Sequence, residues 1–166
     1  KFNYVCYQNS YFIFGNGNTD SSGSQWFVYQ PDLTMGAYWS LEFVQVLNLQ
    51  TKPDFAKACV RIPSHGNYLL VLGSTVAELW LQVPGIQVYQ RQASINIDYG
   101  VASVSTIATS DDMVVWLGIN QNSSPAIMVM QGGKAERIST DGIDYQLGLV
   151  KFPADSTAMF YRQDGH

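Results

Sequence analysis

The sequence predicts an all-β fold, a partial β-propeller of about three antiparallel blade-like meanders. Three observations carry this. Helix periodicity is nearly absent, while short apolar runs bounded by Gly, Pro, Asn and Asp recur along the chain. Three of those runs end in glycine: Tyr11–Gly15, Tyr68–Gly73 and Met113–Gly118. Each is followed by a turn and a further strand, at Trp26–Tyr29, Glu78–Leu81 and Ile127–Met130. The interval between the glycines is about 45–60 residues, the period of propeller blades. A generic sandwich also places Gly at strand ends, where a positive φ costs it nothing; the regular interval favours blades.

The elements follow in order. Asn3–Gln8 and Tyr11–Gly15 read as a hairpin split by Asn9-Ser10. Residues 16–24 form a loop of Gly, Asn, Ser, Thr and Asp, with no apolar side chain to bury. Gln25–Gln30 is a strand ended by Pro31-Asp32. Trp39–Leu49 suits a strand or a short helix, and Lys52-Pro53-Asp54 is a connector. The next unit holds strands at Phe55–Ile62, Tyr68–Leu72 and Val76–Val83, and Pro84-Gly85 closes it. A third begins with a strand at Ala102–Ala108 and passes Asp111-Asp112 into the clearest meander of the chain. There Met113–Leu117 pairs with Ala126–Met130, and Gly132-Gly133 turns the chain back through Lys134–Arg137. A last strand pair is expected at Leu147–Phe152 and Thr157–Arg162. The units therefore span about 3–50, 54–92 and 100–140, with the start of another at 147–166. The closing Asp164-Gly165 is a hairpin signal with no returning strand, which reads as a piece of a longer polypeptide.

Composition narrows the function. Hydrophobic residues make up 46% of the 166, enough for a core, but charged residues only 13%, about half the usual share. Such a surface suits secreted binding domains and subunits covered by neighbours. Nine basic residues oppose thirteen acidic ones, for a net charge of −4. The basic residues are scattered, so none form a track for phosphates, and tight nucleic-acid binding is disfavoured. A wall of this charge still lets nucleic acid slide past. No apolar run approaches the ~18–20 residues that span a bilayer. Cys6 and Cys59 sit in apolar strands without CxxC spacing and read as free, buried thiols.

No motif carries catalysis. His65 lies in a Ser-His-Gly-Asn turn, and no GxSxG elbow exists for a Ser-His-Asp triad. Glu42, Glu78, Glu136, Asp98, Asp111 and Asp112 are carboxylates by type, but no spacing pairs two of them for glycosidase work. Glu78 is expected to face outward or to pair with a basic residue. Gly15-Asn16-Gly17-Asn18 lacks phosphate-loop spacing. The aromatics between Tyr4 and Trp39 would fill a β core or form a stacking platform for sugars; in the second case Trp26 or Trp39 would hold a glycan. Ser139 or Thr140 is placed to cap a short helix at 141–147, with Asp141 and Asp144 in its first turn. That leaves Arg137 for a carboxylate on a neighbouring blade.

Several pieces in order resemble the packaged-DNA stabilisation proteins of short-tailed bacteriophages, also called tail accessory factors, hubs or nozzles. Tyr4-Val5-Cys6-Tyr7 with Tyr11–Gly15 resembles their opening hairpin, and Trp26–Tyr29 the next strand. Leu70-Val71-Leu72-Gly73-Ser74, continuing to Glu78 and Trp80, is similar to their Gly-Ser-x-x-x-Glu-x-aromatic hairpin. Val115-Trp116-Leu117-Gly118 and Arg137-Ile138-Ser139-Thr140 resemble a later blade. Gly73, Glu78, Trp80, Trp116, Gly118, Arg137, Ile138, Ser139 and Thr140 thus form a family-like structural signature. The resemblance implies a virion tail protein, assembled in the bacterial host cytoplasm and joined in six copies below the portal or adaptor ring. It would extend the DNA channel without binding DNA specifically, meet the tail needle or tip, and retain the packaged genome. It implies no enzyme, cofactor, metal or membrane. The rival expectation is a carbohydrate- or host-receptor-binding β domain of a phage tail.

Overall fold

The computed structural model describes residues 2–18, 20, 22–31, 44–63, 65–161 and 163. Three antiparallel sheets account for nearly all of its regular structure. The first takes β1 (Phe2–Gln8), β2 (Tyr11–Asn16), β3 (Gln25–Tyr29) and β4 (Gln45–Asn48), paired in chain order. The second takes β5 (Ala58–Arg61), β6 (Tyr68–Leu72), β7 (Ala77–Gln82) and β8 (Tyr89–Ile97), again in order. The third runs β10 (Ala108–Thr109), β11 (Met113–Ile119), β12 (Pro125–Gln131) and β13 (Lys134–Arg137), with β9 (Gly100–Val101) also pairing β11. Successive strands pairing edge to edge is the meander of a propeller blade.

The sheets stack face to face, and the middle one is covered on both sides. Ile13, Trp26 and Val28 of the first sheet pack on Cys59, Leu69, Val71, Trp80 and Tyr89 of the second. The alternate residues of the second sheet, Val60, Leu70, Leu72 and Leu79, face the other way onto Val114, Trp116, Met128 and Met130 of the third. A strand sends successive side chains to opposite faces. This explains why Leu69–Leu72 is apolar and buried at every position, whereas Met113–Ile119 alternates buried with half-buried. Tryptophan recurs at the seams: Trp26 and Trp80 meet edge to face, their ring centroids 5.0 Å apart.

Turn chemistry matches the sequence at two hairpins. Asn9 and Ser10 take φ of 47° and 73°, and Gly132 and Gly133 take 58° and 83°, the positive pair that matches strand twist in a two-residue hairpin. The glycines ending the repeated strands need another explanation. Gly15, Gly73 and Gly118 do not have positive φ. They are needed because a Cβ would collide with an adjoining segment. At Gly15 it would lie 2.6 Å from the Lys57 carbonyl oxygen, and at Gly100 2.4 Å from the Thr75 nitrogen. Those approaches seat the first and third sheets against the second.

Several expected elements differ. The strand at Phe55–Ile62 shortens to β5. Ala102–Ala108 holds a 3-10 turn at Val104–Thr106, where Ser103 Oγ accepts from the Ser105 N–H, rather than a strand. The nine-residue β8 answers to no expected strand, because Gln90-Arg91-Gln92 breaks its apolar alternation. The pair at Leu147–Phe152 and Thr157–Arg162 does not form among the described residues. Helix α1 (Asp141–Gly148) ends inside the first and a 3-10 turn, Pro153–Asp155, follows it. Leu149, Phe152 and Met159 there lie exposed, packed on no sheet among the described residues. Residues 39–43 of the Trp39–Leu49 stretch lie outside the described residues; the rest holds β4 as a strand. No described helix is long and apolar enough to cross a membrane.

Candidate functional site

The signature residues gather at two places. Gly73, Glu78 and Trp80 build the seam around the second sheet. Arg137 lines a cleft on the third, with Gly118, Ser139 and Thr140 beside it in the strands and helix start that frame it.

Glu78 faces inward and is fully buried; of the two expectations the outward-facing one is corrected, while the pairing with a basic residue is found, with Arg91. Its Oε1 accepts the backbone N–H groups of Gln50 (2.7 Å) and Thr51 (2.5 Å), and its Oε2 accepts Trp80 Nε1 (3.1 Å). Arg91 Nε stands 3.7 Å from Oε1, near enough to balance the charge though not to donate a hydrogen bond. A buried carboxylate is tolerated only when it is so paired and bonded. The linker answers with its own carboxylate. Asp54 Oδ2 accepts from Thr75 N–H (2.6 Å), Thr75 Oγ1 (3.1 Å) and Val76 N–H (3.1 Å). Each carboxylate therefore satisfies backbone donors of the other segment, locking the connector of sheets one and two onto the β6–β7 turn. Gly73 lets Asp54 in: a Cβ there would lie 2.6 Å from Asp54 Oδ2.

Amide side chains continue the seam. Gln8 Nε2 donates to the Gly66 carbonyl (2.6 Å) and Gln8 Oε1 accepts from Tyr89 Oη (2.9 Å). Gln45 Oε1 accepts from the Val88 and Tyr89 N–H groups at 3.0 and 3.1 Å. Burial raises the Tyr89 hydroxyl pKa, with the nearby Cys6 and Cys59 thiols adding to the rise. Both cysteines are free, and burial raises Cys59 and pushes Cys6 up to about 12. Lysine 57 is lowered by burial, and its Nζ donates to the Val101 carbonyl at 3.2 Å, linking the second and third sheets. Across that same seam Val101 N–H donates to the Gly73 carbonyl (2.8 Å), and within the third sheet Trp116 Nε1 donates to the Gly100 carbonyl (3.0 Å).

The cleft, about 600 Å³, lies between the β11–β12 turn, Tyr99 and α1. Gly118 shapes it, because a Cβ there would sit 3.2 Å from Tyr99 Cβ. Thr140 occupies the N-cap of α1 without a side-chain bond. Ser139 instead ties the strand to its neighbour, its Oγ accepting from Ile127 N–H at 2.9 Å. Ile138 is half exposed. Arg137 does not reach another blade. It turns onto its own chain, meeting Asp141 at 2.6 Å and Asp144 at 3.1 Å; the hydrogen bond to Asp141 raises its pKa further. An Arg four residues before an Asp on a forming helix start satisfies this geometry more cheaply than a distant carboxylate does.

The other candidates scatter. Asp98 pairs with Lys52, Glu136 with Lys134, and Asp112 bonds Ser110 and Gln131. Asp111 is exposed in its turn, and Glu42 and Trp39 lie outside the described residues. His65 is exposed, its ring 5.6 Å from Tyr68. Trp26 is fully buried under Trp80 and Tyr89 and cannot stack on a sugar. Among the described residues no three His, Cys, Asp or Glu side chains cluster to hold a metal ion. Asp54, Gln8 and Gln45 escaped sequence reasoning; the Pro53-Asp54 turn was their one signal.

No curated protein matches the chain. The family model described as Bacteriophage P22 Gp10, beta-propeller, a phage stabilisation family, matches residues 1–161. With three meander sheets stacked through tryptophan-filled seams and that match spanning nearly the whole chain, the protein belongs to the Bacteriophage P22 Gp10 β-propeller family of phage DNA-stabilisation proteins.

Proposed function

We propose that the chain is a structural part of the phage tail, without catalysis of its own, that joins below the portal, extends the DNA channel and helps retain packaged DNA. Family membership is the observation that carries this reading. The fold supports it through rigidity. Blades locked by the buried Glu78, the half-buried Asp54 and close glycine contacts suit a static building piece. The surface supports it too: Val5, Tyr7 and Val46 on the outward face of the first sheet stay about half exposed, as in a subunit that meets neighbours. Its partners in this reading are the portal or adaptor ring above and the needle or tip proteins below, with six copies in the parent assembly. It is a virion component assembled in the host cytoplasm. DNA passes without sequence-specific contact, consistent with a net charge of −4.

Deleting the reading frame from the phage tests the proposal. The expected particles fill their heads and then lose DNA, which becomes open to nuclease, and complementation restores retention. Full, nuclease-resistant and infectious particles from the deletion would overturn it.

A further inference from the structure

The geometry points to a binding site for a neutral, hydroxyl-rich ligand, one or two sugar rings, in the Arg137 cleft. At about 600 Å³ it falls within the ~300–1,000 Å³ range of small-molecule sites. Its polar groups converge from three separate segments. Asn120 and Ser123 come from the β11–β12 turn, Arg137 from the end of β13, and Asp144 from α1. Ser123 is held at a φ of 59°, an uncommon conformation for a non-glycine residue, and Asn120 Oδ1 fixes that turn by accepting from the Asn122 and Ser124 N–H groups at 3.0 and 2.9 Å. Two tyrosines wall the space: Tyr99, seated by Gly118, and Tyr145, 68% exposed.

The charges choose the ligand class. Asp141 and Asp144 outnumber Arg137, so a phosphate, a nucleic-acid backbone or an acidic sugar is repelled. The guanidinium already lies between the two carboxylates, so a metal cation finds its site occupied by positive charge. An apolar ligand would bury these polar groups without partners. A sugar hydroxyl donates and accepts at once. It can donate to the carboxylate of Asp141, which lines the cleft with its side chain 91% exposed. It can also take the N–H groups that Arg137 has left, since two contacts use only part of its five donors. Exposed tyrosine supplies the apolar face that a pyranose ring covers. The site requires neither a particular place in the virion nor the proposed tail role, so the two readings fail independently.

Saturation-transfer NMR on the 166-residue chain tests this with glucose, galactose, mannose, rhamnose and N-acetylglucosamine, each at tens of millimolar, and with glucuronic acid as the anionic arm. We expect transfer to ring protons of at least one neutral sugar. It should fall at least fivefold in Tyr145→Ala and in Arg137→Met, and be weaker for glucuronic acid than for glucose. Tyr145 is too exposed for its truncation to unfold the chain, and unchanged near-ultraviolet circular dichroism checks this. Absence of transfer from every neutral sugar, transfer that survives both substitutions, or a preference for glucuronic acid overturns the assignment.

Discussion

Replacing Glu78 by Ala tests whether the seam is held as described. The change removes the acceptor of three donors, the N–H groups of Gln50 and Thr51 and the Trp80 indole, and strips Arg91 of its counter-charge. A buried donor left without a partner costs ~1–3 kcal/mol. Breaking a buried ionic network by removing one member costs ~3–5 kcal/mol. Water entering the shortened side chain's space offsets part of the first sum, so the expected loss is about 3–5 kcal/mol. That is a large share of the ~5–15 kcal/mol that a domain has in total. Glu78→Gln separates charge from hydrogen bonding. Its amide oxygen still serves Gln50 and Thr51, but its NH₂ faces the Trp80 N–H, one donor against another, so the expected cost is only ~1–3 kcal/mol. Guanidinium chloride unfolding followed by tryptophan fluorescence reads both, as midpoint shifts at unchanged slope. A loss below about 1 kcal/mol for Glu78→Ala, or equal losses for Ala and Gln, would refute the role assigned to the carboxylate.

Other expectations follow from the same contacts. Gly15→Ala pushes a Cβ against the Lys57 carbonyl and should cost ~1–3 kcal/mol in chemical unfolding, whereas Gly142→Ala, on α1 with nothing within 4 Å, should gain ~0.5–1 kcal/mol. Trp116→Phe loses the bond to the Gly100 carbonyl while Trp26→Phe loses none, since Trp26 Nε1 has no partner among the described residues; thermal unfolding should therefore show Trp116→Phe worse by ~1 kcal/mol. Alkaline pH should weaken the fold. An unfolded thiol ionises near ~8.5, while folded Cys6 keeps its proton to about 12 and Cys59 is also raised. The stability is thus complete below the unfolded value and falls as pH rises, by up to ~1.4 kcal/mol per unit for each thiol. A Cys6→Ala, Cys59→Ala chain should show a flatter decline in unfolding midpoint between pH 8.5 and 10.5, and an identical decline would remove the thiols as its cause.

By itself the sequence determined the class of fold and its punctuation. Alternation in Met113–Leu117, Asn9-Ser10 and Gly132-Gly133 are local signals, and period-two patterning with turn chemistry acts over neighbours in the chain. The order of strands followed, because each meander pairs with what comes next. Arg137-Ile138-Ser139-Thr140 also marked the start of α1 correctly, since helix starts are written in adjacent residues. Only the tertiary structure decided which faces meet and why certain residues are required. Sequence patterning exposes neither the blind side of a strand nor what lies across a seam. Glu78 therefore reads as a carboxylate that faces out or meets a basic residue until Gln50, Thr51 and Trp80 are placed around it, and Trp26 reads as core or sugar platform until Trp80 and Tyr89 cover it. The repeated glycines look like conformational choices, but their cause is steric, a close approach of segments 10 to 42 residues apart in the chain. The region after Gly148 reads as strand from its apolar residues alone, but among the described residues they have no sheet to join. Contacts of that kind depend on how folded sheets pack in three dimensions, which no local pattern records.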